Sequence, residues 1–319
     1  MNILIVKLNA TGDVVRTTTL LRKLQGDVTW VTHKMNVELL RGLPRVRCLS
    51  WEERAAAQDR KYDLVINLED EMSTATFANG IDHDRCFGAY LSGHDSIAYT
   101  DDARAWFDMS LISVYGRRRA DELKLQNRRT YQDLIFQGLG WRFEGEQYLL
   151  APPTPTALGG DVAIAPVAGA VWPMKGWAHY DALKQTLEAE GLRVNVLPRR
   201  PTILEHMGDV SNHRCLVGGD SLPMHLAMAT GTPCVTLFNC TSPWEIYDYG
   251  IQTKVISPLL EHFFYKRGEN VDATSAIPLE HVYSAVMKSL SRTPELREPR
   301  SYVEHDAHRV LNDERVRHQ

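Results

Sequence analysis

The chain has 319 residues, 44% hydrophobic and 24% charged, with 36 Lys and Arg against 40 Asp and Glu. That length suggests two cores of roughly 150 residues each rather than one. The formal charge of −4 argues against a general nucleic-acid binder, which would carry an excess of cations. No apolar run approaches the roughly 18 residues that a membrane span requires.

In chain order, short apolar runs alternate with helical patterns, the signature of βαβ units and parallel sheet. Ile3–Leu8 reads as the first strand rather than as a signal peptide, being too short for an h-region and holding Lys7. The polar turn Asn9-Ala10-Thr11-Gly12-Asp13 follows, then a helix over Val14–Leu24. Strands are expected at Val28–Thr32, Val46–Ser50 and Leu64–Leu68, with Arg85–Gly88 weaker, and a short helix at Met35–Arg41. Residues 98–150 are less regular, with helical stretches at Ala103–Tyr115 and Tyr131–Leu139, as if the first sheet were finished. Ala151-Pro152-Pro153-Thr154-Pro155-Thr156 reads as a linker, because proline withholds the hydrogen bonds that regular structure needs.

The pattern then restarts. Strands are expected at Val162–Pro166, Arg193–Leu197, Cys215–Val217, Pro233–Phe238 and Lys254–Ile256. Helices are expected at Tyr180–Glu190, Ile203–Gly208, Leu222–Ala229 and Leu279–Leu290. This predicts an α/β chain of two similar domains, 1–150 and 151–291, with a charged tail over 292–319 in which Val303–Asn312 is helix-capable. The five cysteines show no paired spacing and read as reduced thiols of a cytosolic protein. Asp82-His83-Asp84 is the nearest approach to a metal-ligand cluster and reads as a solvated turn.

Three motifs carry candidate chemistry. In Lys7–Val15, Gly12 permits a tight turn and Asp13 stands where a helix begins, at the carboxyl end of a strand where doubly wound sheets collect ligands. Asp13 is read either as a helix N-cap or as a cleft carboxylate. The missing GxGxxG pattern counts against a nicotinamide or flavin enzyme. In Pro166–Trp177, small residues allow close backbone approach and Lys175 offers one compact cation for a phosphate, unless it is simply solvated. In Val217–Ala227, glycines lead into a helix with Pro223 in its first turn. The amides near Ser221 and Leu222 suit an anion, and Asp220 could accept from sugar hydroxyls or merely cap the helix. His225 reads more as a packing residue than a catalytic one.

Taken in order, these motifs with Gly231-Thr232-Pro233 and Thr241-Ser242-Pro243 resemble glycosyltransferase family 9, the ADP-heptose:lipopolysaccharide heptosyltransferase family. The resemblance runs from Met1 to about residue 291 and implies the GT-B fold, two Rossmann-like doubly wound domains facing a cleft. It implies inverting transfer of a sugar, heptose from ADP-heptose, to a hydroxyl of a glycan or glycolipid acceptor, with no metal and no cofactor. By that resemblance Asp13 is the general base, and Lys175 with the Ser221 and Leu222 amides holds the diphosphate. Asp220 holds the transferred sugar, while Asn9, Thr11, Gly12 and Arg16 form the acceptor-side loop. The helix N-terminus would lower the Asp13 pKa, so the base would act late, on an acceptor hydroxyl made acidic by an oxocarbenium-like centre.

The chain departs from the family in places. The segment between Leu197 and Cys215 is short, and Glu205 within it is the candidate for ribose hydroxyls or else a surface residue. Arg16 stands where a histidine is typical, and Asn239-Cys240 where Gly-Pro is. Arg117-Arg118-Arg119 and Arg128-Arg129 could meet an acidic acceptor or be solvated face. The expected setting is cytoplasmic, with at most peripheral contact at the inner face of the membrane. Two other readings keep the fold: a nucleotide-sugar epimerase or hydrolase, for which Asp70 and Glu71 are the spare carboxylates, and a non-catalytic nucleotide-sugar-binding protein.

Overall fold

The computed structural model describes residues 1–93, 96–108, 112–167 and 169–292. The expected tail helix Val303–Asn312 lies outside the described residues.

The first half builds a six-stranded sheet from β1 (Asn2–Val6), β2 (Asp27–Thr32), β3 (Val46–Ser50), β4 (Tyr62–Asn67), β5 (His83–Ser92) and β6 (Ser96–Tyr99). The order is β3-β2-β1-β4-β5-β6, parallel except for the antiparallel β6. The second half builds a five-stranded parallel sheet from β7 (Gly160–Ala165), β8 (Val194–Val196), β9 (His213–Gly219), β10 (Cys234–Phe238) and β11 (Gln252–Ile256). Its order is β11-β10-β9-β7-β8. Ile3, Leu4, Ile5 and Val6 are all fully buried. A central parallel strand is covered by helices on both faces, so its sequence is continuously apolar rather than alternating.

The helices are α1 (Thr11–Thr17), α2 (Val37–Leu40), α3 (Met72–Asn79), α4 (Arg104–Phe107), α5 (Ile112–Gln126), α6 (Tyr131–Gly138), α7 (Tyr180–Ala189), α8 (Ile203–Ser211), α9 (Leu222–Thr230), α10 (Leu260–Phe263), α11 (Val271–Ser275) and α12 (Leu279–Arg292). One continuous cluster of buried apolar side chains runs from β1 and α1 through α6 into α9 and β10. The two halves therefore share packing and do not merely touch. Hydrogen bonds stitch the seam: the Tyr131 amide donates to the Glu245 carbonyl (3.0 Å), and the Ile203 amide to Glu38 Oε1 (2.6 Å).

Several local expectations change. The first strand stops at Val6, because Lys7 and Leu8 turn toward a buried carboxylate described below. The helix expected over Val14–Leu24 is α1 followed by a 3-10 turn, Thr18–Arg22. Thr17, Thr18 and Thr19 each donate a hydroxyl hydrogen bond to a carbonyl three or four residues back, which tightens that segment. Ala103–Tyr115 is not one helix: α4 ends at Phe107 and α5 begins at Ile112, bending at Gly116 where φ is 72°. The first sheet has one strand more than expected, the antiparallel β6, and ends with it at Tyr99, where the less regular stretch begins. His83 and Asp84 open β5 rather than forming a turn, and Asp84 pairs with Lys61.

Candidate active site

The turn after β1 is fixed from beneath. Glu69, which follows β4, brings Oε1 to Lys7 Nζ (2.8 Å), the Leu8 amide (2.7 Å) and the Asn9 amide (3.0 Å). Both ionised side chains are buried, so their pairing and these extra donors are what make the charges tolerable there. Asn36 ties the other side, donating to the Leu8 carbonyl (2.8 Å) and accepting from Thr11 Oγ1 (2.8 Å). Ala10, in the left-handed region at φ 55°, is the residue that caps α1. Asp13 is therefore the third residue of the helix and not its N-cap.

Thr11, Gly12, Asp13 and Arg16 line a cleft of about 500 Å³. Asn9 does not: its side-chain Nδ2 donates to Glu71 Oε1 at 3.2 Å. Arg16 Nη2 pairs with Asp13 Oδ1 at 2.9 Å, and its guanidinium lies 3.9 Å over the Tyr131 ring. Burial pulls the Asp13 pKa upward, but Arg16, Lys7 and His225 outweigh it and hold the carboxyl below its usual value.

The opposite wall comes from the second half. Lys175, at the end of the loop after β7, donates to the Asp220 carbonyl (2.7 Å) and to Asp220 Oδ2 (3.0 Å), which also accepts from Thr241 Oγ1 (2.8 Å). Burial raises the Asp220 pKa, yet Lys175, His225 and Thr241 lower it to about 2. Gly219 is required here by space, since a Cβ would stand 2.5 Å from the Lys175 carbonyl. Asn239, the unexpected residue after β10, donates to the Gly176 carbonyl (2.6 Å) and pins the lysine loop. Ser221 caps α9 without a side-chain hydrogen bond, and Ser221, Leu222 and Pro223 line the cleft at the helix N-terminus. Such a terminus favours anions through its amides and dipole.

His225 also lines the cleft and packs against Gly12, where a Cβ would fall 2.6 Å from its Cδ2. Burial, with help from Arg16, lowers its pKa to about 4, so the ring is neutral near pH 7. The sequence reading missed Glu69, Asn36, Glu245 and Tyr265. It picked out Asp70 and Glu71, which do not line the cleft. The available signal was Lys7 itself: a cation closing a buried strand demands a carboxylate from a neighbouring strand end.

A second cavity of about 1060 Å³ opens between the halves and meets the first at Val167, Leu222 and Pro223. Leu197, Pro198, Arg199 and Ile203 form one wall, Lys34, Met35 and Arg41 another. Thr202, Ile203 and His206 line it, but Glu205 does not. The Glu205 carboxylate closes a capping box with the Thr202 amide (3.1 Å) and hydroxyl (3.0 Å). Among the described residues no group of three or more His, Cys, Asp or Glu could hold a metal ion, and no helix is long and apolar enough to cross a membrane.

Residues 171–267, which contain Lys175, Glu205, Asp220 and Glu245, match the family model "Glycosyltransferase family 9 (heptosyltransferase)". No curated protein matches the chain by sequence. Among solved structures, a glycosyltransferase family 9 protein from Veillonella parvula DSM 2008 aligns with TM-score 0.64 at 14% identity, over 92% of this chain and 97% of that one. The E. coli heptosyltransferase WaaC with ADP-2-deoxy-2-fluoro heptose aligns with TM-score 0.57 at 16% identity, over 90% and 99%. The iron-containing dodecameric glycosyltransferase TibC from enterotoxigenic E. coli H10407 aligns with TM-score 0.51 at 14% identity, over 92% and 78%. The segment that holds the lysine and aspartate wall thus matches glycosyltransferase family 9, and the chain as a whole has the two-sheet GT-B fold of heptosyltransferase structures.

Proposed function

We propose that this protein transfers a sugar, heptose from ADP-heptose, to a hydroxyl of a glycan or glycolipid, with inversion and without a metal. In this reading residues 1–150 form the acceptor domain and 151–291 the donor domain. The observation that carries it is that Asp13 from one half and the Lys175–Asp220 pair from the other line the same cleft.

The donor's nucleoside lies in the larger cavity, its diphosphate at the junction formed by Val167, Leu222 and Pro223, and its sugar in the smaller cleft. The acceptor oxygen attacks the anomeric carbon from the face opposite the diphosphate, the bond to the diphosphate oxygen breaks, and the acceptor proton passes to Asp13. Lys175 spends two of its three N–H donors on Asp220, leaving one for a phosphate oxygen as charge develops on it. The Ser221 and Leu222 amides add to that stabilisation, worth more in a cleft that excludes water. Asp220 has one carboxylate oxygen engaged by Lys175 and Thr241, and the other meets a sugar hydroxyl. The reaction takes place in the cytoplasm, a lipid-linked acceptor being met at the inner membrane face.

The test is incubation with ADP-heptose, with and without an acceptor panel of core oligosaccharides and glycolipids. The expected result is ADP release that depends on acceptor, together with a product of inverted anomeric configuration. Equal ADP release without acceptor would overturn transfer in favour of hydrolysis. Thermal-shift screening against nucleotides locates the donor base independently: a ligand at 100-fold its Kd stabilises by about 2.7 kcal/mol.

A further inference from the structure

Among the described residues, two carboxylates line the larger cavity, Glu38 and Glu53, both from the first half of the chain. They are not alike. Glu53 is exposed, and its Oε2 accepts from the Ser50 amide (2.9 Å) as part of its own helix cap. Glu38 is half-buried on α2. That short helix is fixed by the fully buried Leu39 and Leu40, and by the Leu39 carbonyl, which accepts from the Ala151 amide (2.8 Å). Glu38 Oε1 accepts from the Ile203 amide of the other half (2.6 Å), and no other donor among the described residues reaches this carboxylate.

An ionised carboxylate offers two oxygens and about four lone-pair positions. With one bond made, Glu38 keeps Oε2 and most of its accepting capacity. Hydroxyl donors suit such a group, because hydrogen bonds to an ionised acceptor are stronger than neutral ones. The carboxylates on the second-half side of this cavity are engaged elsewhere. Glu205 closes its capping box and does not line the cavity, and Asp209 is fully buried against Arg200 Nε and Nη2 (2.6 and 2.8 Å). What the second half does supply is an apolar wall of Leu197, Pro198 and Ile203, fit for a flat base.

We propose that Glu38 is the residue that recognises the donor's ribose, its carboxylate accepting from the vicinal hydroxyls, so that the half assigned to the acceptor also reads the nucleotide. This rests on the reading that the nucleoside lies in the larger cavity. Because the same carboxylate holds the Ile203 amide, the donor is gripped where the two halves meet, and ribose recognition depends on their being together.

Titration calorimetry of the full chain with ADP and with 2′,3′-dideoxy-ADP tests this. Wild type is expected to bind ADP at least about tenfold more tightly than the dideoxy analogue, the scale of hydrogen bonds to a charged group. In Glu38→Ala that preference should fall to about twofold or less, with affinity for the dideoxy analogue little changed. Glu38→Gln keeps an acceptor for the Ile203 amide and so spares the seam; it should lose at least about threefold of the preference with the charge. A merely structural role would weaken both ligands alike and leave the preference intact, and that result would overturn the proposal. So would a wild type that binds both nucleotides equally or binds neither, or a preference abolished by Glu205→Gln instead. Failure here is separable from failure of the proposed function. Acceptor-dependent ADP release with the preference intact in Glu38→Ala keeps the transferase and removes Glu38. A preference lost in Glu38→Ala, with no acceptor-dependent release by wild type, keeps Glu38 as a ribose ligand and removes the transferase.

Discussion

Two turns leave the first strand of each sheet and reach the same cleft, and they are built in opposite ways. The turn after β1 is held by buried partners: Glu69 gathers Lys7 and two amides, and Asn36 takes the Leu8 carbonyl and Thr11. The loop after β7 is open. Val167 is 68% exposed and Val171 56%, and the loop is pinned near its end, by Lys175 on Asp220 and Asn239 on Gly176. The difference suits the two tasks proposed for these turns. A proton acceptor must be placed before the substrate arrives, because small misplacements cost rate. A phosphate-binding loop gains from free amides and a partly engaged lysine, because the donor completes its hydrogen bonds.

That contrast can be broken, and the largest effect is expected at the proposed base. Asp13→Asn should lower turnover by about 10²–10⁴-fold, the range of general acid–base catalysis, with donor affinity nearly unchanged. Steady-state kinetics alongside ADP titration check it, and near-normal turnover removes Asp13 from the mechanism. Next comes the support beneath it. Glu69→Gln leaves the Lys7 cation buried without its counter-charge and should cost about 3–5 kcal/mol in denaturant unfolding. An undiminished midpoint would show that Lys7 finds water instead.

Lys175→Ala should act on binding more than on stability. It removes a charge-assisted hydrogen bond to phosphate of about 1.5–3 kcal/mol, so calorimetry should show ADP binding at least about tenfold weaker. The same variant carries a pH signature. In the wild type the Asp220 carboxyl sits at about 2 when folded, below the ordinary 3.8 of an aspartate. Its stabilising effect is therefore complete above about pH 4 and is lost as pH falls toward 2. Lys175→Ala should flatten that acid-side loss in unfolding measured between pH 5 and 2. The smallest effect is expected at Glu205. Glu205→Ala removes half of a capping box and should cost about 0.5–1 kcal/mol, with ADP affinity kept within about twofold. A larger affinity loss would return Glu205 to the ribose.

Much of this was legible before the structure. The restart of strand–turn–helix after the prolines announced two sheets, and the positions of Asp13, Lys175 and Asp220 at strand ends put them at the carboxyl edge where ligands collect. The misreadings have local causes. The helix expected over Val14–Leu24 rested on apolar period alone, which does not register the hydroxyls of Thr17, Thr18 and Thr19 that bond carbonyls three or four residues back where the chain passes into a 3-10 segment. The charged run Arg117–Glu122 gave no apolar period, so no helix was expected beyond Tyr115 although α5 continues to Gln126 with Ala120 and Lys124 buried.

The sequence by itself determined the alternation of elements, the two sheets and the turns that carry Asp13 and Lys175, because these follow from patterns within a few residues of one another. The tertiary structure alone decided which charges meet. Glu69 lies 62 residues from Lys7, and Glu245 reaches the Arg16 neighbourhood through Tyr131 from the other half of the chain. Coulomb energy and desolvation depend on distance and burial in space, and neither quantity is written in the spacing of residues along a chain.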